Sequence, residues 1–426
     1  MRPRTSARLY YLASRVWLTA AGLSLLLPSS ARRGIWLPLH LTLAGAVTVS
    51  ISGAMQNFAS ALTATPAPPS AAVWAQFGLV NVGAALLAAG YPSAHPALVA
   101  SGGALFLLAI ALLGWFLWRA WSRGLNRRHR IPMAMYGAAV TSLLAGGTIG
   151  AFIGSGAVHD PSTWIALRRA HLTVNVLGWV SLTIGGTFVT LLPTVLRIRM
   201  PSWQGSATAA ALAGGVGAAA LGMALDIEAL AGAGGVVYAL GAMGLLRLVV
   251  RAARTPRTWP VPITAKHFLA AGAWFLGGTL ALATALLRGA AAFDAFGQVY
   301  LVVFVGGWIV QTLLGAWLYL LPMSRPGHPD DRRRSLAGAE LGGRLQLVAL
   351  NAGLVLMVLR AGGWVPDVLG AVGVGLALGG AALALLKAWA FNLLGRTPAL
   401  SDRLLAVWGA APSGRDRAAG PPGLAG

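Results

Sequence analysis

The chain has no cysteine among its 426 residues. Disulfides, thiolate metal ligands, thiol nucleophiles and iron–sulfur clusters are therefore excluded. Charge is also scarce, at 10% of residues, where a soluble globular protein carries roughly a quarter. Only ten residues are acidic: Asp160, Asp226, Glu228, Asp294, Asp330, Asp331, Glu340, Asp367, Asp402 and Asp416. All fall in expected loops, at helix ends or in the tail. Acids inside the membrane mark most proton- and cation-coupled pathways, so a carboxylate-relay carrier is not expected. Strand-like alternation does not recur often enough for a barrel. No phosphate-cradling glycine motif, Ser/His/Asp arrangement or His/Glu zinc signature is present.

What is there is apolar. Hydrophobic residues make up 57% of the chain and the mean hydropathy is +0.72. Apolar runs fall near residues 9–28, 35–62, 71–90, 97–118, 132–155, 164–195, 204–225, 228–249, 262–287, 295–322, 343–361 and 365–390. Each is long enough for one crossing of a bilayer, and their Ala and Gly content suits close helix packing. The chain reads as an all-α integral membrane protein with about twelve transmembrane helices. Residues 1–395 form one polytopic domain in contact with the lipid bilayer, and 396–426 a disordered cytoplasmic tail.

The net charge of +22 invites a nucleic-acid partner, but its distribution argues against one. Of the 32 basic residues, 25 fall in alternate loops and the tail, six in the other loops, and Arg15 in the first span. That bias places both termini in the cytoplasm. We call the Arg-rich side the basic face and the other the outer face. A second reading of the start remains open: residues 1–8, the run Val16–Leu27 and Ser29-Ser30-Ala31 have the pattern of a signal peptide, whose removal would leave eleven helices.

Spans six and ten align without gaps. Gly178-Trp179, Thr183, Gly186 and Leu191-Leu192-Pro193 match Gly307-Trp308, Thr312, Gly315 and Leu320-Leu321-Pro322 at an offset of 129 residues. In span two, Gly45 and Gly53 repeat the eight-residue glycine spacing at an offset of 133. Three units of four helices are the expectation.

Candidate chemistry rests on two histidines. His129, His267 and His328 lie at or near the basic face, and His95 and His159 in outer loops; His40 and His171 lie inside spans two and six, near the outer end of each. A buried imidazole needs a partner, and heme iron or copper is one; a hydrogen-bonded interfacial histidine on each helix is the plainer alternative. On the glycine register His171 aligns with Tyr300, whereas His40 aligns with Thr173, two positions away. Two positions turn a helix by about 200°, so the two rings either need a local shift or do not share one orientation in the repeat. Met55, Met133 and Met135 are thioether candidates for copper, though such residues are usually packing. Asn175 lies four residues after His171 on the same face; with Tyr300 and Gln311 it is a candidate second shell, or simply a link between helices.

The strings "WLPLHLTLAGAVTVSISGAMQNFASAL", "RRAHLTVNVLGWVSLTIGGTFVTLLPTVLRIRM", "GGWIVQTLLGAWLYLLP" and "LQLVALNAGLVLM" resemble the heme-copper oxidase large-subunit superfamily. They are most similar to NnrS-type proteins and to the membrane modules joined to copper oxidases in some actinobacteria. The resemblance implies twelve helices in three four-helix arcs, a bacterial plasma membrane, and an association with heme, copper and nitric oxide. His40 resembles the heme-ligating histidine of the second helix, and His171 the metal-ligating histidine of the sixth. The chain departs from the oxidases in having no histidine pair in the seventh span and none in the tenth, so no complete oxidase centre can be assembled.

The leading expectation is thus an oxidase-like membrane protein binding heme or copper through His40 and His171, in redox or nitric-oxide-related physiology, with a redox protein as partner. A cofactor-free small-solute transporter or channel, and a structural membrane subunit, are the alternatives. The sequence alone does not establish catalysis.

Overall fold

The computed structural model describes residues 3–126, 128–199, 205–256, 260–324 and 329–394. Among them all regular structure is helical. Twelve long helices carry the fold. The first six are α1 (Pro3–Ser24), α2 (Trp36–Thr63), α3 (Ser70–Gly90), α4 (Pro96–Arg123), α5 (Arg130–Gly154) and α6 (Pro161–Leu196). The rest are α7 (Ser206–Ala224), α8 (Glu228–Arg254), α9 (Ile263–Leu287), α10 (Gly297–Ser324), α11 (Gly343–Ala361) and α12 (Asp367–Leu394). Eleven of these are long and apolar enough to cross a membrane; α1, which carries Arg4, Arg8 and Arg15, is the exception. The chain is an all-α multi-pass membrane protein. The expected tail at 396–426, and His328, lie outside the described residues.

Local sequence explains several helix ends. Asp160 caps α6 by accepting bonds from the Thr163 N–H (2.8 Å) and the Ser162 and Thr163 hydroxyls, with Pro161 in the first turn. Those donors hold its carboxyl down to about 2. Helices α2 and α6 both stop at a left-handed residue, Ala64 and Arg197, which are 133 positions apart.

Three four-helix units recur, and glycine contacts show it position by position. In each unit the second helix presses two glycines against the first. Gly53, Gly186 and Gly315 lie against Tyr10, Met135 and His267; Gly45, Gly178 and Gly307 lie against Trp17, Ser142 and Trp274. The residues contacted are seven apart in every case. The third helix crosses the fourth at Gly83, Gly215 and Gly353. A Cβ on those glycines would sit 2.7, 2.5 and 2.4 Å from the backbone nitrogens of Phe106, Tyr238 and Ala377. Backbones meet there because nothing larger than hydrogen intervenes.

The second helices of the three units form the centre, and each contains wide π-helical turns: Leu41–Val47, Val174–Val180 and Leu301–Val310. The first two runs begin and end 133 residues apart. Such turns strain the ladder and persist where surrounding packing fixes them. Indole hydrogen bonds then join neighbouring units in a ring. Trp179 Nε1 donates to Thr48 Oγ1 (3.0 Å), Trp308 Nε1 to Ser181 Oγ (2.9 Å), and Trp317 Nε1 to Ser50 Oγ (3.3 Å). Arg15, buried within α1, closes the ring from the outside. Its guanidinium donates to the Ala388 carbonyl at 2.6 Å and lies 4.6 Å over the Trp389 ring.

Candidate functional site

His40 and His171 meet near the outer face. His40 is the last residue before the first π-helical run and His171 lies three before the second. Their ring centroids are 6.4 Å apart and the planes differ by 13°. The two-position mismatch in the repeat is what allows this. Neighbours in a rotational ring touch through unlike patches, as Trp179 and Thr48 also do, so equivalent positions would not face each other.

Both rings are oriented by backbone. His40 Nδ1 lies 2.8 Å from the Trp36 carbonyl, one turn earlier, and His171 Nδ1 lies 2.8 Å from the Gly146 carbonyl of α5. A carbonyl only accepts, so each Nδ1 carries the proton and each Nε2 presents a lone pair. Asn175 Nδ2 also approaches His171 Nδ1, at 3.0 Å, but a protonated Nδ1 has no lone pair to offer; the amide instead donates to the His171 carbonyl at 2.8 Å. Its Oδ1 is buried without a partner.

Aromatic stacking fixes the His40 side. Trp36 stacks on His40 at 3.9 Å and 18°, and Tyr91 stacks on Trp36 at 4.3 Å and 22°. The four-residue spacing of Trp36 and His40 is the local sequence signal for this stack; Tyr91 comes from a different helix end and has none. On the other side, a Cβ at Gly150 would lie 2.5 Å from His171 Cε1. That glycine lets α5 close against the imidazole. Both histidines are half-buried.

The other sequence candidates lie apart from this pair. Tyr300 is fully buried among Phe293, Phe296 and Phe304, with no partner for its hydroxyl. Gln311 is the first residue after the third π-helical run, roughly 15 Å further along α10. Neither is in hydrogen-bond or ring contact with the two histidines. Asn175 alone of the three joins them. Met55, Met133 and Met135 are buried in the core, Met135 against Gly185. His95 is exposed at the start of α4 and His159 is exposed in the next outer loop.

The donor set suits a metal in kind: two neutral imidazoles, each with its far nitrogen tied to a carbonyl, the usual support of a ligating histidine. The rings are stacked, with centroids 6.4 Å apart; an ion about 2 Å from a nitrogen of each ring lies in the ring planes, so the two imidazoles would turn edge to edge to share one. Among the described residues no group of three or more His, Asp or Glu converges on the pair. No protein-family model matches the sequence, and no curated protein matches it.

Proposed function

We propose that the chain binds heme iron or a copper ion through Nε2 of His40 and His171 at the outer rim. The observation that carries this reading is the shared tautomer: both Nδ1 atoms are committed to carbonyls, and two lone pairs are left on neighbouring rings. Trp36 and Gly146 would hold the ligands in place, and Asn175 would lock the turn that carries His171. Such a group, when bound, supplies one-electron exchange or a site for a diatomic ligand. Without further histidines on α7 or α10, the centre falls short of an oxidase, and a redox or nitric-oxide-related role in a bacterial plasma membrane fits it best. A redox protein docking at the outer rim would be the partner. The basic face is taken as cytoplasmic from its charge.

Purified protein, expressed with heme and copper supplied, is the test. Soret absorbance or bound copper is expected in the wild type and in His95→Ala, and should be lost in His40→Ala and His171→Ala. Wild-type protein carrying neither heme nor copper would overturn the reading. One observation favours a second reading, a cofactor-free path for a small polar solute. Ser52, Gln311 and Thr312, on two of the three central helices, hold buried polar atoms without partners, and buried groups of that kind bind water or solute.

A further inference from the structure

Near the basic face, three side chains on three helices form a single chain. His267 of α9 is fully buried and Gln346 of α11 nearly so, while Lys387 of α12 is half-buried. Gln346 Nε2 lies 2.9 Å from His267 Nε2. Lys387 Nζ donates to Gln346 Oε1 at 2.8 Å and to the Ala339 carbonyl at 3.3 Å. Glu340, the next residue, lines a recess of about 630 Å³ on this face together with Lys266 and Arg344.

The repeat makes this chain stand out. In the first unit the equivalent positions are Tyr10 and Gln76, where Tyr10 Oη donates to Gln76 Oε1 at 2.6 Å. In the second unit the first position is Met135. The third unit alone places an imidazole there and adds a lysine behind the amide.

Donor and acceptor counting fixes its state. An ammonium only donates, so Gln346 must turn its oxygen to Lys387 and its N–H to His267. His267 Nε2 then accepts, the ring is neutral, and its proton sits on Nδ1, which is buried with no partner. A second proton on the ring would create an Nε2–H facing the amide N–H. Only a half-turn of the amide relieves that clash. The oxygen then serves His267, and the amide N–H now faces the ammonium.

We infer that His267 is a proton-binding site whose occupancy is read out by Gln346 and Lys387. When His267 takes a second proton, Gln346 turns and Lys387 is released from α11 towards Glu340. No other bond changes. The charges around His267 are few. Lys387 faces it from α12, Glu340 faces Lys387, and Arg344 of α11 and Lys266 of α9 line the recess. Helices α6 and α10 bring no charged residue against α9 over Ser181–Leu196 and Gln311–Ser324, and the arginines of α8 nearest this face are Arg247, Arg251 and Arg254. The site is independent of any cofactor at the outer face.

The test is the protonation midpoint of His267, read by ¹⁵N resonance in histidine-labelled full-length protein in lipid nanodiscs, with His267→Gln giving the assignment. Lys387→Met should raise the midpoint by about one unit or more, because no ammonium then holds the Gln346 oxygen away from the imidazole. Arg344→Gln should leave it nearly unchanged. In a Gln346→Leu background the Lys387→Met effect should fall to less than half, since the amide no longer couples the pair. Gln346→Glu, which accepts from both partners, should raise the midpoint with Lys387 in place, and carries the test should the leucine variant fail to fold. Equal midpoints in wild type and Lys387→Met would overturn the inference. So would a Lys387→Met shift that is undiminished without the amide.

Discussion

The first and third units share their framework and differ in what hangs on it. Each joins its first helix to its third by an indole bond: Trp17 Nε1 to Asn81 Oδ1 and Trp274 Nε1 to Asn351 Oδ1, both at 2.8 Å. Each also sets an aromatic or imidazole ring against the amide of Gln76 or Gln346. The second unit keeps the glycine crossings but has Met135 and Ser142 at the two ring positions, and carries His171 instead. Packing is therefore common property, set by glycine, while chemistry sits where a unit departs from the repeat. His171, His267 and Lys387 are all such departures.

The largest effect should come from the common framework. Gly83→Leu, Gly215→Leu and Gly353→Leu each force a side chain into a backbone–backbone crossing, where a Cβ alone would already lie 2.4–2.7 Å from a nitrogen. Overpacking of this kind costs about 3 kcal/mol or more where neither partner can yield. All three variants should lose most of the monodisperse protein after detergent extraction. If one of them is tolerated, the three crossings are not equivalent and the repeat is only approximate.

A middle-sized effect separates the outer units from the central one. Trp17→Phe and Trp274→Phe keep an aromatic ring and delete one partly buried bond, which in a membrane bundle is worth about 0.6–1.7 kcal/mol. Each should lower the thermal midpoint by a few degrees and by similar amounts. The ring of inter-unit indoles gives an internal check: Trp179→Phe, which leaves Thr48 without its donor, should cost the same order. A Trp274 variant far more damaging than its Trp17 counterpart would mean that the third unit bears load the first does not.

Much of this framework was legible in the sequence because it is written in small residues. Gly45, Gly178 and Gly307 announce the central helices through identity alone, and the spans through hydropathy. The alignment of the first helices was hidden, since Tyr10, Met135 and His267 share a place but no chemistry. The meeting of His40 and His171 was anticipated by depth and side. Its geometry was not, because π-helical turns alter the phase of each helix and contacts around a ring pair unlike positions. His267 was placed near the basic face, but its amide and lysine partners come from helices 79 and 120 residues away, and no local spacing encodes them. Tyr300 was drawn towards the histidines by alignment, which gives equivalence and not proximity, and Gln311 by its polarity alone.

The smallest effect belongs to the outer face, where the second and third units meet through charge. Arg169 of α6 grips Asp294 with two bonds, Nη2 to Oδ2 at 2.5 Å and Nε to Oδ1 at 3.1 Å, and Arg168 stands 3.9 Å away. Asp294 belongs to a short helix, Ala290–Ala295, that leads into α10. The Arg169 bond holds its carboxyl below the usual carboxylate range, against a smaller opposing effect of burial. A depressed carboxylate stabilises the fold above its unfolded pKa, near 3.9, and that contribution fades as pH falls through the folded value. More than a third of the Asp294 side chain is exposed, so water and salt screen the pair and about 0.5 kcal/mol is the expected size. Asp294→Asn should therefore lower the thermal midpoint by about a degree at pH 7 in low salt. The difference from wild type should shrink in high salt, and again as pH falls below about 4, where the unfolded chain begins to bind a proton that the native carboxylate still resists. A deficit that persists under both conditions would assign the loss to the packing of the short helix, and the seam between the second and third units would then be held by the Trp308–Ser181 bond and not by charge.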